Sequence, residues 1–227
     1  MFRPLTDGVW VRETDFRMGP LVLGGRCTVV RLPEGGLWVH SPVRLVEGLR
    51  EAVAALGPVR FLVAPNLMHH LYVGDWAAAF PEARVLAPAG LRRKRPELRI
   101  DAELGEAPEP GYSAVFEQTQ LRGMPVLDEF AFLHRPSRTL VLTDGAFNIH
   151  DSPSWVTRTY LKLSGAYGRL SVTWFEKTLV KDKAALRASV DRVLAWDFER
   201  VVVCHGEVQE QGGREALRSA FAWLQPG

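Results

Sequence analysis

Three histidines and one aspartate of this 227-residue chain follow directly on apolar runs that read as buried strands. His69 and His70 come just after Val59–Ala64, Asp144 after Leu140–Thr143, and His205 after Val201–Cys204. Loops at strand exits are where α/β proteins build sites on a rigid frame. Imidazole nitrogen and carboxylate oxygen are the donors a borderline divalent cation takes, at roughly 2.0–2.2 Å for zinc. Asp128 and Glu129, just before Phe130, fall near the same sheet end and offer a base or a further ligand. Each residue also has a plainer reading. A His-His pair splits into one capping and one exposed ring, an Asp at a strand exit closes an Asx-turn, and a His-Gly pair is a turn. Asn66 and Asn148 either close turns or orient a substrate, and turns are the reading for Asn148.

The elements that must position these residues come from the apolar pattern. Val9–Phe16, Arg26–Leu32 and Leu37–His40 read as strands, with Pro33-Glu34-Gly35-Gly36 as a hairpin turn. Ser41 as N-cap and Pro42 at the first helical position predict a helix through Leu56, stopped by Gly57-Pro58. A buried strand over Val59–Ala64, a helix around Asp75–Phe80 and a strand over Arg84–Ala87 follow. Residues 88–112 read as a long irregular connection. Strands resume at Ala114–Leu121, and Phe130–His134 and Thr139–Thr143 form a hairpin that puts His134 at an exposed tip. Residues 145–180 carry aromatics that imply burial but show no single period. A helix over Asp182–Trp196, a strand over Arg200–Cys204 and a helix over Arg214–Leu224 close the chain. This order predicts one domain, residues 1–227, of α/β class, with two sheets and helices packed outside them.

Composition removes several classes. The net charge of +2 is too small to argue by itself for nucleic acid, and no such partner is expected. The basic run Arg92–Arg95 reads as a solvated surface segment. No apolar run approaches the ~18 residues of a membrane span, and the N-terminal residues lack a signal pattern, so the expectation is a cytoplasmic protein without a membrane partner. Cys27 and Cys204, two cysteines without CxxC spacing, read as small buried hydrophobes. No Gly-rich phosphate loop follows any strand, against a nucleotide-binding Rossmann or P-loop reading.

The succession of a histidine-bearing strand exit, Thr139-Leu-Val-Leu-Thr-Asp-Gly-Ala-Phe147 and Val201-Val-Val-Cys-His-Gly206 resembles the metallo-β-lactamase superfamily over nearly the whole chain. More closely it resembles a domain-of-unknown-function branch with PNxxHH where relatives carry HxHxDH; here the segment reads Pro65-Asn66-Leu67-Met68-His69-His70. The resemblance implies an αββα four-layer sandwich. Carried over residue by residue, it puts His70 at the last histidine of HxHxDH and His69 at its aspartate. Asp144 falls on the bridging aspartate and His205 on the final histidine. The remaining histidine positions fall on Pro65, Leu67 and Met124, whose side chains hold no such metal. The resemblance therefore implies a reduced, mononuclear site drawn from His69, His70, Asp144 and His205, for zinc, iron or manganese, or no metal at all.

Two functions follow from different classes. One is a metal-dependent hydrolase acting on a small molecule, with His70, Asp144 and His205 holding the ion and His69 or Glu129 handling the proton. The other is an inactive descendant of that fold that binds a small ligand or serves as an interaction protein, for which the aromatic stretch 155–175 is a candidate surface. A homodimer is compatible with either.

Overall fold

The computed structural model describes residues 1–225. Strands β1 (Arg3–Thr6) and β2 (Val9–Thr14) lead through a small separate hairpin, β3 (Arg17–Met18) and β4 (Leu21–Val22), into β5 (Gly25–Arg31) and β6 (Leu37–His40). Next come α1 (Leu49–Ala54), β7 (Val59–Val63), α2 (Val73–Ala79), β8 (Arg84–Ala87), α3 (Ala89–Lys94) and β9 (Ala102–Glu103). These strands make a seven-stranded sheet in the order β1-β2-β5-β6-β7-β8-β9. The second half contributes β10 (Phe116–Gln120), β11 (Phe130–His134), β12 (Thr139–Val141), α4 (Trp155–Leu163), α5 (Trp174–Leu179), α6 (Lys183–Leu194), β13 (Arg200–Val202) and α7 (Gly213–Ala220). Its sheet has four strands in the order β10-β11-β12-β13.

Period-two alternation sorts the side chains into layers. Val30, Trp38 and Val63 of the first sheet meet Phe116, Phe132 and Val202 of the second in the central core. Their neighbours Val39, Leu62 and Val85 point the other way and bury Val53, Trp76 and Leu91 of α1, α2 and α3. Leu133, Leu140 and Val201 do the same beneath Leu186 and Val190 of α6 and Leu217 of α7. The result is the αββα sandwich that the motif order implied. Among the described residues no helix is long and apolar enough to cross a membrane.

Parallel pairing fixes where the site lies. β6 and β7 run parallel, as do β12 and β13, so each pair ends at one sheet edge. Ser41, Asn66–His70, Asp144 and His205 all follow those ends.

Several expectations need correction. The helix expected over residues 42–56 exists only as α1. Ser41 is not its N-cap: its φ is 52°, and the Val43 carbonyl accepts from the Trp76 indole at 2.7 Å instead of a helical N–H. The connection 88–112 holds α3 and β9, and residues 145–180 hold α4 and α5. His134 is buried, not exposed at the hairpin tip; its Nδ1 lies 2.7 Å from Ser137 Oγ. The aromatics of 155–175 divide: Tyr160 and Tyr167 pack on a small cluster beside β3 and β4, whereas Trp155, Trp174 and Phe175 are exposed. In the basic run, Arg92 pairs with Glu103 and Arg95 with Glu97.

Candidate metal centre

The loop after β7 is built on Asn66, which is fully buried. Its Oδ1 accepts from the backbone N–H groups of Met68 and His69 at 2.8 and 2.7 Å, an Asx-turn that aims His69 inward. Its amide nitrogen faces Glu129 Oε2, Thr143 Oγ1 and Asp144 Oδ2 at 3.1, 2.9 and 2.8 Å. One side chain therefore ties the exit of β7 to the exit of β12 across the sandwich. Glu129 completes the tie. Its carboxylate accepts from the backbone N–H of Thr143, Asp144 and Gly145 at 2.8, 2.9 and 2.9 Å, which shapes the turn carrying Asp144.

Three side chains converge where these loops meet. His69 Nε2 and His205 Nε2 each lie 3.2 Å from Asp144 Oδ1, and 3.3 Å from each other. The back of each ring is held: His69 Nδ1 is 2.8 Å from Ser41 Oγ, and His205 Nδ1 is 2.7 Å from the Gly24 carbonyl. A carbonyl only accepts, so His205 Nδ1 carries a proton and donates it there. In neutral His205 the Nε2 lone pair then points at a carboxylate oxygen. Such an arrangement calls for a cation among the three atoms, either an added proton or a metal ion. Phe147 stacks on the His205 ring at 5.0 Å between centroids and 11° between planes, fixing its tilt.

The donor set fits a metal. Three donors at 2.0–2.2 Å from one ion in a tetrahedron stand roughly 3.3–3.6 Å apart, and the observed separations of 3.2–3.3 Å lie at or just below the short end of that range. Two imidazoles and a carboxylate suit zinc, iron or manganese, and three protein ligands leave a position open.

The electrostatics follow the same geometry. Burial alone would raise the Asp144 carboxyl, but the adjacent His69 and His205 outweigh it and hold it well below the ordinary carboxylate range. Burial likewise works against a charged His69, yet Asp144 raises its pKa well above the usual value. Glu129 moves the other way: burial, then the charge of Asp144, push its carboxyl up against the pull of the Thr143 amide.

The expected site residues are therefore redistributed. His69, Asp144 and His205 come together; His70 does not. The His70 ring turns out of the cluster to Arg95, whose Nη1 lies 3.0 Å from its Nδ1, and burial with Lys94 and Arg95 lowers its pKa to about 4. The Asx-turn takes the His69 N–H, and Asn66 is itself held by Glu129, Thr143 and Asp144 across the sandwich, so His69 faces inward and its neighbour faces away. Glu129, expected to handle a proton, is fully buried with both oxygens taken by N–H donors, and does not open to the site. Asp128 adopts φ 49° and accepts from Gln120 at 2.5 Å, also outside the cluster. Asn148 does not close the turn expected of it: its amide donates to the Glu207 carbonyl at 3.0 Å and its backbone N–H to that of His205, which bridges it to the segment after β13.

Sequence reasoning missed Glu176. It lies in α5, is 5 % exposed, and lines the cavity shared by His69, Asp144 and His205. Tyr160 O–H donates to Thr173 Oγ1 at 2.6 Å, and that hydroxyl donates in turn to Glu176 Oε2. Burial raises its carboxyl pKa, with a smaller upward push from Asp144. The only available signal was Thr173-Trp-Phe-Glu176, a capping-box spacing at the start of a helix. Arg26 was missed as well: buried, it donates to the Val203 carbonyl and, at 2.5 Å, to that of Gly206, bracketing His205.

Comparison with known proteins agrees with this frame. Residues 6–91 match the family model described as Domain of unknown function (DUF4336), a span that holds strands β2 to β8 and the Asn66–His70 loop. No curated protein matches the sequence. Among solved structures, a metallo-β-lactamase from Pontibacter korlensis superposes with a TM-score of 0.70 at 13% identity, covering 100% of this chain and 99% of that one. The metallo-β-lactamase FIM-1 from Pseudomonas aeruginosa, in its mono-zinc form, gives 0.66 at 12% identity, covering 99% and 92%. The metal-soaked Flv1 flavodiiron core from Synechocystis sp. PCC6803 gives 0.68 at 10% identity, covering 99% of this chain and 60% of that one. The chain thus has the metallo-β-lactamase fold, which by itself does not fix an activity.

Proposed function

We propose that this protein is a mononuclear metal-dependent hydrolase of small molecules, its ion held by His69, Asp144 and His205. The observation that carries this reading is the mutual 3.2–3.3 Å spacing of three donor atoms, two imidazole nitrogens and one carboxylate oxygen. When bound, a zinc, iron or manganese ion supplies Lewis acidity and makes water more acidic. Three ligands, not the closed set of four, are what catalysis of this kind requires.

The chain's own residues supply the rest. Ser41 and the Gly24 carbonyl lock the two rings, and the Asn66 amide holds Asp144 Oδ2 so that Oδ1 is the oxygen presented. Glu176, its carboxyl pKa raised by burial, holds or releases a proton on the cavity side. In this role it replaces Glu129. The PNxxHH segment then reads as a metal loop in which the asparagine has become the organiser and the first of the two histidines the ligand. The other parts of the reading are a small-molecule substrate, no nucleic acid or membrane partner, and a cytoplasmic location.

Elemental analysis of protein purified without chelator or His-tag tests the metal. About one equivalent of zinc, iron or manganese is expected, falling at least tenfold in Asp144→Ala. Hydrolysis of p-nitrophenyl acetate by the loaded protein is expected to fall with it, and to fall in Glu176→Gln while metal content stays. Protein that stays below a tenth of an equivalent after incubation with each ion sinks the reading and leaves a ligand-binding descendant of the fold.

A further inference from the structure

The cavity beside the triad, about 310 Å³, has an apolar wall assembled from three separate parts of the chain. Met18 comes from the β3–β4 hairpin, Met68 and Leu71 from the loop after β7, and Phe175 from α5; they are 45, 39, 55 and 46 % exposed. Scattered exposed apolar residues need no explanation, but four that converge on one opening next to a candidate reaction centre do. Behind them Leu23, Leu127 and Phe147 extend the apolar wall inward.

Several polar groups of the lining are already engaged, which leaves the Thr14 and Tyr72 hydroxyls and Glu176 to meet a polar part of a ligand. The Ser41 hydroxyl is engaged with His69, the Arg26 Nη groups donate to backbone carbonyls, and Lys94 Nζ donates to the Leu67 carbonyl at 2.5 Å. A sugar or nucleobase needs a set of convergent free donors and acceptors. The volume lies at the low end of the ~300–1,000 Å³ of small-molecule sites, too small for a polymer. Methionine and leucine side chains adapt to a flexible aliphatic chain more readily than to a rigid polar ring.

We infer that the cavity takes the aliphatic acyl chain of a medium-chain carboxylic ester, with its carbonyl carried to the triad. The bond that is cut rests on the hydrolase reading; the binding of the chain does not. In the reaction the oxygen of water bonds the carbonyl carbon and the acyl C–O bond to the alcohol breaks. The alcohol leaves with one proton, and the acid product gives up its own to solvent as it becomes a carboxylate.

Titration calorimetry with butyrate, hexanoate and octanoate, on metal-free and on zinc-loaded protein, tests this. Affinity is expected to rise roughly two- to fourfold per methylene. Octanoate binding should weaken tenfold or more in the double variant Leu71→Ser/Phe175→Ser, whose zinc content should match the wild type. A chain-length series that is flat, or unchanged in the double variant, overturns the proposal even when zinc binds stoichiometrically. A steep series in protein that takes up no metal upholds the acyl site and removes the hydrolase reading instead.

Discussion

Glu129 and Asp144 are both buried carboxylates, reached by the same Asn66 amide, yet they belong to different parts of the molecule's working. Glu129 is surrounded by donors: three backbone N–H groups and the Asn66 amide satisfy it, and it faces no cavity. Asp144 gives one oxygen to Asn66 and turns the other to two imidazole nitrogens. The first spends its charge on fixing a turn. The second keeps its charge available, and the turn fixed by the first is what aims it. A buried acid next to a site is thus no more a catalyst than any other buried acid until the partners of each oxygen are counted.

The largest effect should come from breaking the structural half. Glu129→Ala strands three buried N–H groups, and chemical denaturation should show a loss of about 3–5 kcal/mol or a failure to fold. Asp144→Ala should lose the metal and leave a cooperative unfolding transition. Equal destabilisation by the two would erase the distinction.

A sharper cut lies within the neighbouring histidines. His69→Ala should weaken zinc binding by 100-fold or more in a chelator competition, because it removes one of three ligands. His70→Ala should change it less than threefold, since that ring faces Arg95. The reverse ranking would restore the ligand set that the motif alone implied.

The smallest effect separates the carboxylates from the buried histidines on the acid side. Asp144 has a depressed pKa, so its contribution is present above the ordinary carboxylate range and is lost only as pH falls well below it. His134 is lowered by burial to about 4, and His40, fully buried beside Trp38, to about 3, by burial first and the nearby His69 second. A histidine whose folded pKa lies below its unfolded value of ~6.5 contributes stability above that pH and loses it as pH falls toward the folded value. Metal-free protein should therefore weaken between pH 6.5 and 5. His134→Asn should flatten that drop by roughly 1–2 kcal/mol in denaturant titrations. An unchanged slope would place the acid sensitivity in the carboxylates.

How much of this was legible in the residues differs by kind. Strands over Leu37–His40, Arg84–Ala87 and Phe130–His134 carry their boundaries in apolar runs and turn residues, and the structure reproduces them. The helix expected from Ser41 was misread because Ser-Pro followed by helical spacing is a local signal, and a distant indole, Trp76, claims the Val43 carbonyl. Nor could local pattern show that His134 is buried, packed on Phe116 of the neighbouring strand β10 and bonded to Ser137. Glu176 carried only a helix-capping signature, since its second role depends on a cavity built from segments more than a hundred residues apart.

By itself, then, the chain determined the succession of the main strands and placed the candidate residues at their exits; the parallel pairing of β6–β7 and β12–β13 then brings those exits to one sheet edge. It also determined that imidazoles and a carboxylate would gather there. Which of two adjacent histidines turns inward, and which of two acids stays open, only the tertiary structure decided. Both choices rest on hydrogen bonds made across the sandwich, from Asn66 to residues 63 to 78 positions away and from Glu129 to the backbone of 143–145. Such bonds depend on sub-ångström placement of the partner, which residue types and spacing do not encode.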